Sequence, residues 1–441
     1  AQIVATRGDL FPKQYVDALN QFADNLDPMP VSMSKAIITQ ELLLKDGETF
    51  EDVFSQFDEE PLGAASIAQV HRAVLSEKYG FREVAVKIQR PSIESKLMGD
   101  IANLKTIAKL FRHVDASPVD YYTIFSELEN QLQDEFDFSK EAKAMDQIYD
   151  SLATAAELPI VMPRSVPELV TRRVLVMDFI KGTPLSRMQK KMEESGIKPG
   201  SIKSKLFGRK FVESLTEVFG RTILGTGLFH ADPHPGNIMI TDNGDIGLID
   251  FGQVKQLTPS YRDTIAKIII ALDERKGAGE DDFESNELLG KLILDLGVEL
   301  HKDAKHEAGA AIAMWLFDGS VENLPGGYDV GELSPDSPVK EIKEFTQDLV
   351  LVARSVVMIK AFSNRFQIGW SLAEKWAPIA RKMIHDSAST DDRYLLHDYP
   401  FAGRVRNLKK RIKKRSANFA KTLLVRMPPR IRSLIASALI Q

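Results

Sequence analysis

Between Phe229 and Gly252 the chain reads FHADPHPGNIMITDNGDIGLIDFG, and this stretch narrows the possible architectures more than any other. His230, Asp232 and Asn237 stand in an H-x-D-x-x-x-x-N pattern, and thirteen residues past Asn237 come Asp250, Phe251 and Gly252. Ile238-Met239-Ile240 and Ile246-Gly247-Leu248-Ile249 read as short apolar strands. Thr241-Asp242-Asn243-Gly244-Asp245 joins them with residues that tolerate left-handed backbone. A loop, a hairpin and a second loop are predicted. Phosphoryl transfer from a nucleotide needs one carboxylate to orient the attacking oxygen, plus an amide and a second carboxylate to hold divalent metal on the phosphates. Asp232 suits the first role, and Asn237 and Asp250 suit the second. A merely acidic surface hairpin would require three spaced residue types to coincide.

A chain of 441 residues has room for two or three ordinary domains, or for one large two-lobed enzyme with extensions. Hydrophobic residues at 44% and charged residues at 27% fit a folded protein with a sizeable core. Cysteine is absent, which excludes disulfides, thiolate metal sites and a cysteine nucleophile. The net charge of −5 hides an asymmetry: from Arg404 onward there are twelve Lys and Arg and no Asp or Glu. A basic tail on an acidic body predicts an anionic partner, a membrane surface or a nucleic acid. Val405, Leu408, Ile412, Phe419, Leu423 and Leu424 interleave with the cations. That suits a helix lying on an anionic membrane, or a basic helix packed on the protein's own acidic body. No run of 18 apolar residues occurs, so no simple membrane-crossing helix is expected. The first residue is Ala1 rather than Met, as in a processed precursor or a trimmed chain.

Residues 9–44 read as helical with a break at Asp27-Pro28-Met29-Pro30. Two β-prone runs follow, 67–75 and 83–88, forming an antiparallel pair across the polar turn 76–82. Before the first lies Pro61-Leu62-Gly63-Ala64-Ala65-Ser66, whose small side chains would let backbone N–H groups approach a phosphate. The second contains Val84-Ala85-Val86-Lys87, and a lysine at the end of an apolar strand needs a polar destination such as nucleotide phosphates or solvent. Helices are predicted over 93–110 and 121–149. On the second, Asp137 and Glu141 share a face while Glu135 sits about 160° from Asp137, so Glu141 is free to pair with Lys87. Val174 to Phe179 reads as a strand running into Ile180-Lys181-Gly182, a connector whose backbone at Met177, Asp178 and Ile180 could meet an adenine edge. Residues 183–204 read as a polar linker with a short helix, and 207–227 as an apolar-striped helix. Helices are predicted beyond Gly252 over 260–272, 287–296, 304–317, 339–354 and 370–385.

Together these pieces resemble the UbiB/ABC1/ADCK atypical kinases. The resemblance is carried by PLGAASIAQVHRA (61–73), VAVK (84–87), EFDFSKEA (135–142), VLVMDFIKG (174–182), HADPHPGN (230–237) and IDFGQ (249–253). It implies an α+β, bilobal protein-kinase-like fold that uses ATP and Mg²⁺. The expected organisation is a helical extension over 1–45, a lobe with a small β-sheet over 46–181, a mostly helical lobe over 182–400 and a basic amphipathic tail over 401–441. By resemblance, Gly63, Ala64, Ala65 and Ser66 belong to an alanine-rich nucleotide loop. Lys87 is the phosphate-contacting lysine and Glu141 its ion-pair partner. Asp232 is the catalytic-loop aspartate, and Asn237 and Asp250 are metal ligands. Glu135 and Asp137 form a regulatory E-x-D pair. Ala1-Gln2 looks like the end of a K-x-G-Q motif with Ala for Gly, which makes Gln2 a regulatory position.

Ala231 stands where ordinary protein kinases have an arginine, and no A-P-E follows Gly252. The resemblance therefore implies ATP hydrolysis, or phosphorylation of a small or lipid-like acceptor, in prenylquinone or lipid metabolism at a membrane of a mitochondrion or plastid. No nucleic-acid partner is expected. Two other readings of the same residues are a small-molecule phosphotransferase of the aminoglycoside- or choline-kinase type and a nucleotide-binding pseudokinase scaffold.

Overall fold

The computed structural model describes residues 27–43, 47–111, 135–153, 160–198, 200–275, 282–318, 324–331 and 334–387, with isolated positions between 122 and 133. Gln2, the helix expected before Asp27 and the basic tail lie outside the described residues.

Alternation along the strands shapes the N-terminal half. Strands β1 (Phe54–Phe57), β2 (Gly63–Ala64), β3 (Ala68–Leu75), β4 (Glu83–Gln89), β6 (Ser165–Val170) and β7 (Val174–Asp178) make one sheet, while β5 (Ile160–Val161) belongs to another. The first sheet is antiparallel in the order β1-β3-β4-β7-β6, with β2 folded onto β3. Successive residues of a strand face opposite sides. Val84, Val86 and Ile88 accordingly pack with Ile38, Leu42 and Val176 in one core cluster. Ala85 joins Ala68, Leu175 and Met177 in the other, and Lys87 shares the face of Ala85. The expected pairing of the two β-prone runs is present, with Val70 opposite Lys87.

The C-terminal half is mostly helical. Its largest buried helices include Ile202–Gly220, Pro259–Glu274, Ala308–Phe317 and Gln347–Arg365. Ala308–Phe317 is apolar all round and buried apart from Trp315, as a central helix must be. The indole N–H groups of Trp376 and Trp370 donate to Thr216 O at 2.7 Å and Thr216 Oγ1 at 3.0 Å, which satisfies both polar tips inside the core. Where the two halves meet, β10 (Ile238–Thr241) and β11 (Ile246–Leu248) form the predicted hairpin, flanked by β8 (Gly182–Pro184) and β5. β9 (Leu228–His230) pairs with β12 (Val254–Gln256), so the two loops of the constraining stretch are tied at both ends.

Three expectations are corrected. The helix predicted over 121–149 breaks at Phe136-Asp137, and a new one, Phe138–Ala153, begins there. Asp137 Oδ1 accepts the Ser139 N–H at 3.1 Å and its hydroxyl at 2.5 Å, and this local competition starts a helix afresh. The helix predicted over 339–354 is instead a 3₁₀ turn Pro338–Glu341, a strand β14 (Ile342–Glu344) paired with β13 (Glu299–Leu300), and a helix Gln347–Arg365. Its start is set by Thr346, whose hydroxyl accepts the Leu349 N–H. The helix predicted over 207–227 starts earlier, at Ile202, and passes at Arg221 into a π-helical turn that ends before Gly227.

Candidate active site

Lys87 Nζ lies 2.9 Å from both carboxylate oxygens of Glu141 and 3.3 Å from Asp250 Oδ1. These residues come from β4, from the first turn of helix Phe138–Ala153 and from the loop after β11. A carboxylate in a helix's first turn gains from the helix dipole, so the Glu141 charge is supported at both ends. The Phe138 ring centroid is 5.2 Å from Lys87 Nζ and adds a cation–π contact. Burial works against the Lys87 charge, but Asp250 and Glu141 outweigh it and hold the ammonium above the usual lysine range. The Lys87 charge in turn holds the Asp250 carboxyl below the usual carboxylate range.

Asp250 adopts φ +63°, a left-handed conformation that costs a non-glycine residue roughly 1–3 kcal/mol unless its surroundings enforce it. The enforcement is visible. Its Oδ1 accepts the Gly252 N–H at 3.2 Å, and its carbonyl accepts His230 Nε2–H at 2.7 Å. His230 Nδ1 accepts the Asp232 N–H at 3.2 Å, so the proton sits on Nε2 and one neutral, buried imidazole ties the Asp232 loop to the Asp250 loop. Burial pushes the His230 pKa below the usual histidine range, which keeps the ring neutral, and its two hydrogen bonds fix the tautomer.

Asn237 Nδ2 donates to the Asp232 carbonyl at 3.1 Å, and the Asn237 carbonyl accepts the Ile249 N–H at 2.9 Å. The amide nitrogen is therefore turned away from any cation, and among the described residues Asn237 Oδ1 and Asp250 Oδ2 have no protein donor. One free amide oxygen and one free carboxylate oxygen at adjoining strand ends fit a hard divalent ion whose remaining ligands are phosphate oxygens and water. No group of three His, Asp or Glu side chains among the described residues could hold a metal, so the ion would depend on its nucleotide.

The E-x-D pair divides. Glu135 Oε1 accepts Gln253 Nε2–H at 3.0 Å. Burial, with help from Asp250 and Asp232, pushes its carboxyl above the usual range. Asp137 is engaged at the start of its own helix, and among the described residues no contact joins it to Lys87, Asp232 or Asp250. In the alanine-rich loop, Gly63 and Ala64 are β2, and the Ala65 N–H donates to Ala68 O at 2.8 Å. Arg90 Nε–H holds the Ala65 carbonyl at 2.9 Å, leaving Ser66 exposed near the tip. In the connector Met177 is buried opposite Ala85. The Asp178 carboxylate is taken up by Arg82 and by the Arg164 N–H, and the Asp178 N–H donates to Arg164 O at 3.0 Å, so among the described residues only its carbonyl is left for a ligand. The Ile180 N–H has no acceptor among the described residues. Gln253, quoted only as the end of the IDFGQ motif, and Gln89, whose Nε2 donates to Phe136 O at 3.0 Å, are given no role in the sequence reading, nor is His230 given its bridging one. For Gln253 the one signal was a polar residue directly after Asp250-Phe251-Gly252.

A buried Lys–Glu pair facing an aspartate, between an antiparallel sheet and a helical body, defines a bilobal protein-kinase-like fold. The sequence matches the ABC1 atypical kinase-like domain over residues 21–278, more than half its length, and the chain belongs to that family. It is similar to the chloroplastic protein ACTIVITY OF BC1 COMPLEX KINASE 8 of Arabidopsis thaliana, 33% identical over 280 residues, covering 62% of this chain and 34% of that protein. The chloroplastic kinase 7 of the same series is 29% identical over 399 residues, covering 87% of this chain and 52% of that one. An uncharacterized protein of Synechocystis sp. is 30% identical over 276 residues, covering 62% of this chain and 64% of that protein. The chain thus spans between about a third and two thirds of these relatives. Among solved structures, Rv3197 of Mycobacterium tuberculosis, determined with erythromycin, superposes with a TM-score of 0.58 at 19% identity, covering 85% of this chain and 89% of that one. At that identity the likeness speaks for the fold alone.

Proposed function

We propose that this protein is an ATP- and Mg²⁺-dependent atypical kinase or ATPase that serves prenylquinone or lipid metabolism at a membrane. The observation that carries this reading is Lys87, fixed by Glu141 and facing Asp250 across the crevice. Lys87 takes the α- and β-phosphates of the nucleotide, and Glu141 keeps its ammonium aimed there. The Ile180 N–H and the Asp178 carbonyl meet the adenine edge beneath Ala68 and Ala85. Asn237 Oδ1 and Asp250 would hold Mg²⁺, which would supply positive charge to offset that developing on the phosphates. Asp232 accepts a hydrogen bond from the attacking hydroxyl or water and takes up its proton. His230 keeps the Asp232 and Asp250 loops in register.

The chloroplastic names of the two Arabidopsis relatives support a plastid setting. ATP turnover measured with and without anionic liposomes and a phenolic quinone precursor tests the proposal. Turnover should depend on Mg²⁺ and vanish in Asp250→Asn. Nucleotide binding without turnover under every condition would leave a scaffold instead of an enzyme.

A further inference from the structure

Ile202 and Leu206 are the two most exposed large apolar side chains among the described residues, at 79% and 65%. They lie one helical turn apart on Ile202–Gly220. Single exposed aliphatics need no explanation, but two aligned on one face call for one. At about 100° per residue, Lys205 and Arg209 fall on one side of this pair, and Lys203 and Lys210 on the other. All four are exposed, and among the described residues none has a carboxylate within ion-pair distance. The surrounding segment 187–210 carries eight Lys and Arg against two Glu, in a chain whose net charge is −5.

We propose that this face of helix Ile202–Gly220 docks the protein onto a lipid bilayer bearing anionic headgroups. An apolar stripe between rows of lysine is the arrangement that enters the boundary between acyl chains and headgroups. A nucleic acid would be met by stacking aromatics rather than by exposed Ile and Leu. The inner side of the same segment adds a reason for the location. A groove of about 170 Å³ runs beneath it, lined by Met188, Met192, Phe207, Phe362, Phe366 and Pro235. Pro235 belongs to the catalytic loop, and its carbonyl accepts the Ser186 N–H at 3.3 Å. Docking on this face sets an apolar groove between the bilayer and the Asp232 loop. The inference rests on the reading that the protein works at a membrane, and it names the surface.

The absence of cysteine allows one unique fluorescent label. The full chain carrying Leu206→Cys, labelled with an environment-sensitive dye, is mixed without nucleotide with vesicles of phosphatidylcholine and phosphatidylglycerol at 3:1, and with pure phosphatidylcholine vesicles. Emission should shift to the blue and be quenched by spin-labelled lipid on the anionic vesicles only, while a label at Glu77→Cys should not respond. Ile202→Ser with Leu206→Ser, and separately Lys203→Glu with Lys205→Glu, should lower vesicle binding by about tenfold or more. Because these side chains are exposed, the urea midpoint should not move. Vesicle binding with the Leu206 label still in water and both double variants unaffected would overturn this face while leaving a membrane role intact. No vesicle binding at all would overturn both. A label response to single-stranded nucleic acid but not to vesicles would replace the lipid partner.

Discussion

Removing either member of the Lys87–Glu141 pair should cost different amounts, because the two are left with different company. The side chains are 13% and 5% exposed, so the pair is nearly dry. Glu141→Gln removes a charge, yet Lys87 keeps Asp250 at 3.3 Å, and the new amide oxygen can still accept from the ammonium. The expected cost is about 1–2 kcal/mol, the scale of one charged hydrogen bond weakened. Lys87→Met strands Glu141 with no cation and faces it toward Asp250. Breaking a buried pair this way costs about 3–5 kcal/mol. The double variant should cost less than the sum by about 1–3 kcal/mol, since the stranded charge is gone.

Urea unfolding followed by circular dichroism measures all three variants. Tryptophan emission alone would not serve, because Trp315, Trp370 and Trp376 all lie in the helical half. Acidity gives a second check on the same cycle. In Lys87→Met, burial raises the folded-state pKa of Glu141 above its unfolded value of about 4.3, so the folded form binds the extra proton. Its stability should then fall, relative to the parent chain, as pH rises from about 4.3 through that raised value. Equal costs for the two single variants, or strict additivity, would refute the asymmetry and with it the role of Asp250 as second partner.

Other outcomes can be checked independently. The His230 pKa is lowered in the fold, so the unfolded chain takes up the proton first. Stability should drop as pH falls below about 6.5, and His230→Gln should lose that part of the slope in urea midpoints taken from pH 7.5 to 5. Asp137→Ala should cost about 1 kcal/mol whereas Asp137→Asn should be nearly neutral, because Asn also caps; equal losses would mean that the charge matters more than the cap. A Cβ at Gly182 would sit 2.6 Å from Ile240 O, a backbone atom in the strand that follows Asn237. Gly182→Ala should therefore destabilise by about 1–3 kcal/mol in thermal unfolding and weaken nucleotide binding.

Local patterns carried much of this protein. The H-x-D-x-x-x-x-N spacing, the hairpin to Asp250 and the period of two in Val84 to Ile88 are properties of neighbours along the chain, and the structure keeps them. The helix drawn through Glu135 and Asp137 failed because periodicity alone does not weigh a side chain that bonds its own backbone. The helix drawn from Val339 failed for a related reason: a strand partner 44 residues earlier along the chain claims the segment first, as in the Glu299–Lys343 ion pair.

What the sequence determined by itself was an inventory in order: one lysine in an apolar strand, one glutamate on a helix, and an aspartate, an asparagine and a second aspartate around a hairpin. Only the tertiary structure decided which of them meet. Lys87 finds Glu141 across 54 residues and Asp250 across 163, and Gln253 finds Glu135 across 118. It also turned the Asp178 carboxylate toward Arg82 and gave His230 both loops to hold. The physical reason is that strand and helix periods are set within a few residues, whereas the partner of a buried charge is whatever the packing of distant elements brings within about 3 Å, since no other arrangement offsets its lost water.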